Sequence, residues 1–296
     1  MPALCPAMDA FAIIHAGGIP VFADVDPLTH LVTASTIERC ISTNTKAIIC
    51  VHLHGLPCDM APIMRLAQNH TLWVIEDCAQ SLLATYQGQY TSGHIACFSF
   101  ERKKHLTTGS EGGMIVTNDE YLAIAARKFA GIGYKHMTAE AGRTSLDASV
   151  YQRPDYERFD TIGLNYRMSH AQAEIGIEKL KTIDAVVSQR REIGYLWQFV
   201  FGESCQPHSY DAQSSFYTAA FPYMGDWLDL YKRFCAAGGD GFYAMPQCPF
   251  NEPALNHAFA EAPVAEELQK KLVLMKTHYR IVAHAKRQTD IMAEVL

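Results

Sequence analysis

Over the first two-thirds of the chain, short apolar runs alternate with amphipathic stretches. Pro20–Val25 (PVFADV) reads as a strand that runs into acidic residues, and Ala34–Ile41 as a helix. Lys46–Leu53 (KAIICVHL) has the texture of a strand buried on both faces. Met60–Asn69 shows helical spacing at Ile63, Leu66 and Ala67. The next strand is Leu72–Ile75, ending at Glu76-Asp77. Ile95–Phe100 and Gly113–Thr117 predict two more strands, and Glu120–Ala130 a helix. Such alternation, with connections this short, predicts an α/β layered sheet.

Met168–Arg191 predicts one long helix, with Ser169 as its cap and Ala171, Ile175, Leu180, Ile183 and Val187 on one stripe. Beyond it the texture changes. Gln206–Ser215 is polar and turn-like, and Ala237–Gly241 (AGGDG) marks a tight loop. A strand around Phe216–Tyr223 and helices in Val264–Leu274 and His278–Val295 predict a smaller α+β domain. The expected division is residues 1–185 and 186–296, in line with two domains for 296 residues.

Composition narrows the class. The chain is 49% hydrophobic and 19% charged, which fits a packed protein and not a disordered one. Its net charge is −6 and no Lys/Arg-rich block occurs, so neither a nucleic acid nor an anionic membrane is an expected partner. The richest apolar stretch, Ala10–Ala23, is broken by His15, two glycines and Pro20, short of a membrane span. The start shows no basic-then-apolar signal pattern. Nine cysteines are scattered without a CxxC pair, as expected of free thiols in a reducing cytoplasm. The chain opens almost directly on PALCPAMDAFAIIHAGG, an abrupt start for an α/β domain: either the fold is unusual or an upstream piece is absent.

Four segments concentrate reactive side chains. Glu76-Asp77-Cys78-Ala79-Gln80 follows an apolar strand, where α/β sheets place ligands; an exposed loop acid is the plainer alternative. Phe98–His105 (FSFERKKH) runs into the glycine-rich LTTGSEGG. A lysine held there in an apolar site would have a lowered pKa and could act as a Schiff-base nucleophile; a surface basic cluster is the commoner pattern. Gly163–Met168 (GLNYRM) opens the long helix with Asn and Arg, a natural anion site or simply a cap. His52 and His54 alternate on a strand and so point to opposite faces, which argues against one shared metal, and no metal site is expected.

Together these segments resemble the DegT/DnrJ/EryC1/StrS family, the pyridoxal-phosphate (PLP) aminotransferases of nucleotide sugars and aminocyclitols. Six collinear blocks carry the resemblance, from about Pro2 to Arg191: AGGIPVFADVD, TKAIICVHLHGLPCDM, VIEDCAQS, ACFSFERKKHLTTG, EGGMIVTND and GLNYRMSHAQAEIG. The resemblance implies a fold-type I PLP-dependent transferase. It has a mixed, mostly parallel sheet in a large domain and a small α+β C-terminal domain. It also implies roles. Lys104 matches the Schiff-base lysine, four residues after the second Phe of FSF, while Lys103 is one step off. Asp77 matches the acid paired with the pyridine nitrogen, Gln80 the residue beside the ring, and Ser99 a phosphate-contacting serine. Asn165 and Arg167 match the pair that reaches the cofactor phosphate of a neighbouring subunit, so a homodimer is expected.

Three departures stand against the family pattern. It carries an upstream segment with a Gly-Thr or Gly-Ser phosphate turn that this sequence lacks. Pro6 aligns where an aromatic ring usually stacks on PLP, and Ser110 is one residue extra in the TGEGG turn. The implied reaction moves an amino group from glutamate or glutamine to a keto-sugar or aminocyclitol precursor, by way of PLP and its pyridoxamine form (PMP). Two alternatives are a truncated, inactive paralogue serving as a dimer partner or binding protein, and a PMP-dependent sugar dehydratase. The latter carries His where this chain has Lys104.

Overall fold

The structure, a computed structural model, describes residues 1–140, 147–202, 206, 208–255 and 260–296. Cys205 lies outside them. In chain order come α1 (Met8–His15), α2 (Ala34–Glu38), β1 (Ala47–Val51), α3 (Met60–Asn69), β2 (Trp73–Asp77) and β3 (Thr85–Tyr86). Next are β4 (Ile95–Ser99), β5 (Gly113–Val116), α4 (Glu120–Ala130), α5 (Ala148–Tyr151), α6 (His170–Leu180) and α7 (Ile183–Phe201). The last third adds β6 (Ala212–Gln213), β7 (Thr218–Pro222), α8 (Trp227–Ala236), β8 (Tyr243–Ala244), α9 (Pro263–Lys271), β9 (Leu272–Lys276) and α10 (Val282–Val295).

The central sheet has the order β1-β2-β4-β5. β1, β2 and β4 run parallel, and β5 returns antiparallel beside β4. The sheet is therefore mixed and mostly parallel, as the family resemblance implies. β5 forms one edge, and its Met114, Ile115 and Val116 are all exposed. A second sheet, β7-β9-β8, is antiparallel throughout. β3 pairs with β6 and so ties the first part of the chain to the last third.

Three expectations are corrected. Pro20–Val25 forms no strand: only Ala23 makes an isolated parallel bridge, to Pro2. The Met168–Arg191 helix is two helices, because the chain turns at Lys181-Thr182. The turn sends Ile183 and Val187 into a cluster with Phe100 and Leu106, while most of α6 stays exposed. Ser169 does cap α6, in a reciprocal capping box with Gln172. Finally, Leu272–Leu274 is not the end of a helix but the start of β9, four of whose five residues are buried between two partner strands. Helix α8 follows its Asp226 cap, whose carboxylate accepts the Asp229 N–H at 2.7 Å.

The largest core cluster draws on both sides of the 185/186 division. It joins Ile48, Cys50, Ile63 and Val74 to Cys248, Phe250, Leu268 and Leu272. A second cluster gathers Trp197, Phe221, Leu230, Phe234, Met275 and Met292. α7 links this second cluster to the Phe100–Leu106 one: its Ile183 and Val187 pack beside Phe100, and its Ile193 and Trp197 lie in the second cluster. Among the described residues no cysteine is paired; Cys5, Cys50, Cys58, Cys78 and Cys248 are buried and Cys235 is exposed.

Candidate active site

Parallel pairing aligns the carboxyl ends of β1, β2 and β4. Val51 stands opposite Asp77, and Asp77 opposite Cys97. Asp77 thus ends a central strand at the edge where such sheets hold ligands. Its Oδ1 accepts the Ala79 N–H at 2.8 Å. Burial raises its carboxyl pKa, against that N–H and the charges of Lys104 and His52.

Lys104 sits on the loop that follows β4. The loop is closed on itself: Phe100 N–H donates to Gly112 O at 2.8 Å, and Thr108 N–H to Phe100 O at 3.1 Å. Ser110, the extra residue of the glycine turn, supplies the carbonyl that accepts the Arg102 N–H at 3.0 Å. Gly112 is required by close approach, since a Cβ there would run into Thr108 Oγ1. The loop leaves Lys103 exposed and Lys104 half-buried, its Nζ 4.8 Å from the centre of the Tyr217 ring. Burial lowers the Lys104 pKa, Asp77 and Glu101 pull it up, and Arg190 lowers it further; the net shift is down. Among the described residues, its amine closes no ion pair. Ser99, at the end of β4, is half-buried and accepts the Glu101 N–H at 3.3 Å through its hydroxyl.

Gln80 is tied to the β1 side of the site. Its Oε1 accepts the His54 N–H at 2.7 Å. His54 is held at φ 64°, with its ring Nδ1 2.9 Å from Thr218 Oγ1 on β7. Next to it, Gly55 at φ 97° lets the backbones touch: Ser215 N–H donates to Gly55 O and Tyr217 N–H to His54 O, both at 2.9 Å. This is how Tyr217 reaches Lys104.

The expectation that His52 and His54 alternate on a strand is corrected: both lie past the end of β1, His54 in a tight turn at Leu53–Gly55, and their rings meet different partners. His52 Nε2 lies 2.9 Å from Glu76 Oε2, and its Nδ1 accepts the Cys58 N–H. Burial pushes the Glu76 pKa up, but the His52 bond and charge and the N–H groups of Gly93 and Ser92 outweigh it, and the net shift is down. No group of three or more metal-binding side chains occurs among the described residues.

Asn165 and Arg167 are both exposed, and Arg167 Nε donates to Asn165 Oδ1 at 3.0 Å. Among the described residues, their hydrogen bonds do not reach Asp77, Gln80, Ser99 or Lys104. Pro6 is half-buried in the turn before α1.

Three site residues had no signal in the sequence pattern. Tyr217 comes from the last third of the chain. Arg190 is 6% exposed on α7, has no carboxylate partner among the described residues, and donates to the carbonyls of Tyr217 and Lys103, each at 3.4 Å. Asp9, on α1, has its carboxyl pKa pushed up to about 7, by burial first and then by the Asp77 charge. A doubled arginine (QRRE) at helical spacing is the one hint that could have singled out Arg190.

A profile of the DegT/DnrJ/EryC1/StrS aminotransferase family matches residues 2–224. GDP-perosamine synthase of Escherichia coli O157:H7 is 38% identical over 220 residues, 74% of this chain and 55% of that protein. A UDP-N-acetyl-3-dehydro-alpha-D-glucosamine 3-aminotransferase of Acidithiobacillus ferrooxidans is 34% identical over 273 residues, 89% of this chain and 68% of that protein. The aminotransferase of Psychrobacter cryohalolentis, a solved structure, aligns with a TM-score of 0.85 at 26% identity, over 99% of this chain and 78% of that one. The chain spans about half the length of the first curated relatives it matches. With the profile covering three-quarters of its length, the chain belongs to the DegT/DnrJ/EryC1/StrS aminotransferase family.

Proposed function

We propose that the chain carries the active-site face of a PLP-dependent aminotransferase acting on a nucleotide-linked keto-sugar. The observation that carries this reading is Lys104: a half-buried amine with a lowered pKa, unpaired among the described residues, near an acid on the adjacent strand end. The residues suit PLP. Bound there, it would supply an electron sink for proton removal beside nitrogen. Lys104 Nζ would hold the cofactor covalently. Once displaced by the amino donor, it would move a proton between the donor Cα and the cofactor C4′. Asp77 would keep the ring nitrogen protonated, Gln80 would lie beside the ring, and Ser99 would hold the phosphate.

Asn165 and Arg167 would serve the site of a second copy, which makes a homodimer the working unit. Their exposure and lack of bonds to the site in their own chain support this. Relatives named for GDP- and UDP-linked sugars support a nucleotide-linked acceptor, with glutamate or glutamine as donor. We assign residues 1–185 to cofactor binding and 186–296 to the smaller domain. No helix among the described residues is long and apolar enough to cross a membrane, and we place the enzyme in the cytoplasm.

Lys104 disfavours the dehydratase alternative, whose base would be histidine. The adjacent His105 is 6% exposed, with its Nε2 3.0 Å from Ser215 O. The test is to mix the protein with PLP, reduce with borohydride and map the labelled peptide. Label on Lys104 is the expected result. Label on Lys103 or elsewhere overturns the assignment, and no absorbance from an imine at all favours the inactive paralogue.

A further inference from the structure

His30 and His54 stand edge to face in the interior, with ring centroids 6.2 Å apart and ring planes at 88°. His30 is 1% exposed and His54 2%. Both hold left-handed backbone, at φ 63° and 64°, in two turns that the fold brings together. Of their ring nitrogens, His54 Nδ1 lies 2.9 Å from Thr218 Oγ1. His54 Nε2 and both ring nitrogens of His30 have no hydrogen-bond partner among the described residues. Asp26 faces His30, and its Oδ1 already accepts the N–H groups of Leu28 and Thr29 and the Thr29 hydroxyl. The other titratable group facing His54 is His30 itself.

The pair sits on a joint. The His54 N–H donates to Gln80 Oε1, the His54 carbonyl accepts the Tyr217 N–H, and the ring meets Thr218 at the start of β7. A proton on either ring would place a charge in this dry contact with no carboxylate bonded to it. Burial lowers the His30 pKa to about 4, against the pull of Asp26. Burial, and then His30, lower that of His54 well below its ordinary value.

We propose that His30 and His54 form an acid-sensitive latch: as neutral rings they hold the Leu53–Gly55 turn against Thr218 and Tyr217, and a proton on either ring opens that joint and releases Tyr217, whose ring meets Lys104. The device belongs to the fold and does not depend on which cofactor or substrate the site takes.

A histidine freed from the joint takes its proton near pH 6.5. The closed joint therefore binds fewer protons than the open one. Closure is complete above pH 6.5 and is lost as pH falls toward the folded value of about 4. Between pH 7.5 and pH 4.5 the open fraction should rise about 50- to 100-fold for each ring that responds.

The test is hydrogen exchange of the ligand-free protein at pH 7.5, 6 and 4.5, read by mass spectrometry and corrected for the intrinsic pH dependence of exchange. Peptides spanning residues 52–56 and 215–218 report the joint through the N–H groups of His54, Ser215 and Tyr217. A peptide spanning residues 73–77 reports the central sheet. By pH 4.5 the joint should lose about 50- to 100-fold more protection than the sheet. His30→Asn and His54→Asn keep a residue that tolerates left-handed backbone and cannot be charged. Each should reduce the acid-dependent loss, and the double variant should abolish it. The readout is the change with pH within one protein, which a merely less stable variant does not reproduce. A joint that loses no more protection than the sheet overturns the latch, as does a double variant that loses as much as wild type.

Discussion

Gln80 Oε1 accepts the backbone N–H of His54 at 2.7 Å, so the side chain proposed to lie beside the cofactor ring also pins a left-handed residue of the β1–α3 connection. His54 in turn carries the contacts to Thr218 and Tyr217 that bring the last third of the chain to Lys104. Gln80→Ala should therefore do two things. It leaves a buried N–H unpaired, at a cost of about 1–3 kcal/mol in urea unfolding. It should also slow PLP capture at Lys104 by loosening Tyr217. A stability loss without any change in capture would separate the two roles and remove Gln80 from the site.

Arg190 places a buried, unneutralised guanidinium against the Lys103 carbonyl and the Tyr217 ring. Its charge lowers the Lys104 pKa. Arg190→Met should make Lys104 easier to protonate, so less free amine is present at a given pH. Reductive labelling of Lys104 at pH 7.5 should fall about two- to tenfold, ten being one pKa unit. Arg190→Lys, which keeps the charge, should recover most of it. A pH profile unchanged in Arg190→Met would show that the charge is not felt at Lys104.

The His52–Glu76 pair is buried, with both side chains 2% exposed. Glu76→Ala should cost about 3 kcal/mol, because His52 and the N–H groups of Ser92 and Gly93 lose their acceptor in a dry site. The pH dependence has a definite sign. The folded Glu76 pKa lies below its ordinary 4.5, so its contribution is present above that pH and is lost as pH falls through the folded value. Equilibrium unfolding of Glu76→Gln should show a flatter acid limb than wild type below pH 4.5.

Gly55→Ala combines a strained φ of 97° with a Cβ placed 2.8 Å from the amide nitrogens of Phe216 and Tyr217. It should cost about 1–3 kcal/mol or more and push the Tyr217 strand away from Lys104. Thermal melting and Lys104 labelling measured on the same variant should fall together. Retained labelling would show that Tyr217 is not what shields the amine.

Light scattering should find a dimer at micromolar concentration, and Arg167→Ala should weaken PLP affinity while leaving Lys104 as the labelled residue. A monomer that binds PLP as tightly as the dimer would refute the cross-subunit role of Asn165 and Arg167.

Much of the fold was legible from pattern alone. α3 and α4 fall on the expected residues, β1, β4 and β5 fall within their apolar runs, and β2 runs on through Glu76-Asp77, because local periodicity and texture mark each element even where, as in α4 and β5, little is buried. The failures share one cause. Leu272–Leu274 is apolar at every position, a texture common to a buried strand and a buried helix, and only pairing with β7 and β8 decides it. The turn between α6 and α7 follows from Ile183 and Val187 packing on Phe100 and Leu106, a contact with no local trace.

The candidate site divides the same way. The segments holding Asp77, Lys104, Asn165 and Arg167 stand out by pattern, as an acid after a strand, a lysine before a glycine-rich turn and an anion turn, while Gln80, Ser99 and the choice of Lys104 over Lys103 come only from the family resemblance. Asp9, Arg190 and Tyr217 lie 95, 86 and 113 positions from Lys104 and leave no such mark. Their charges and rings act through space among buried groups, where electrostatic effects reach across elements that share no periodicity. Residue types and local elements were thus determined by the sequence itself. Which ring and which buried cation approach the lysine was decided only when α7 and the chain before β7 packed against its loop.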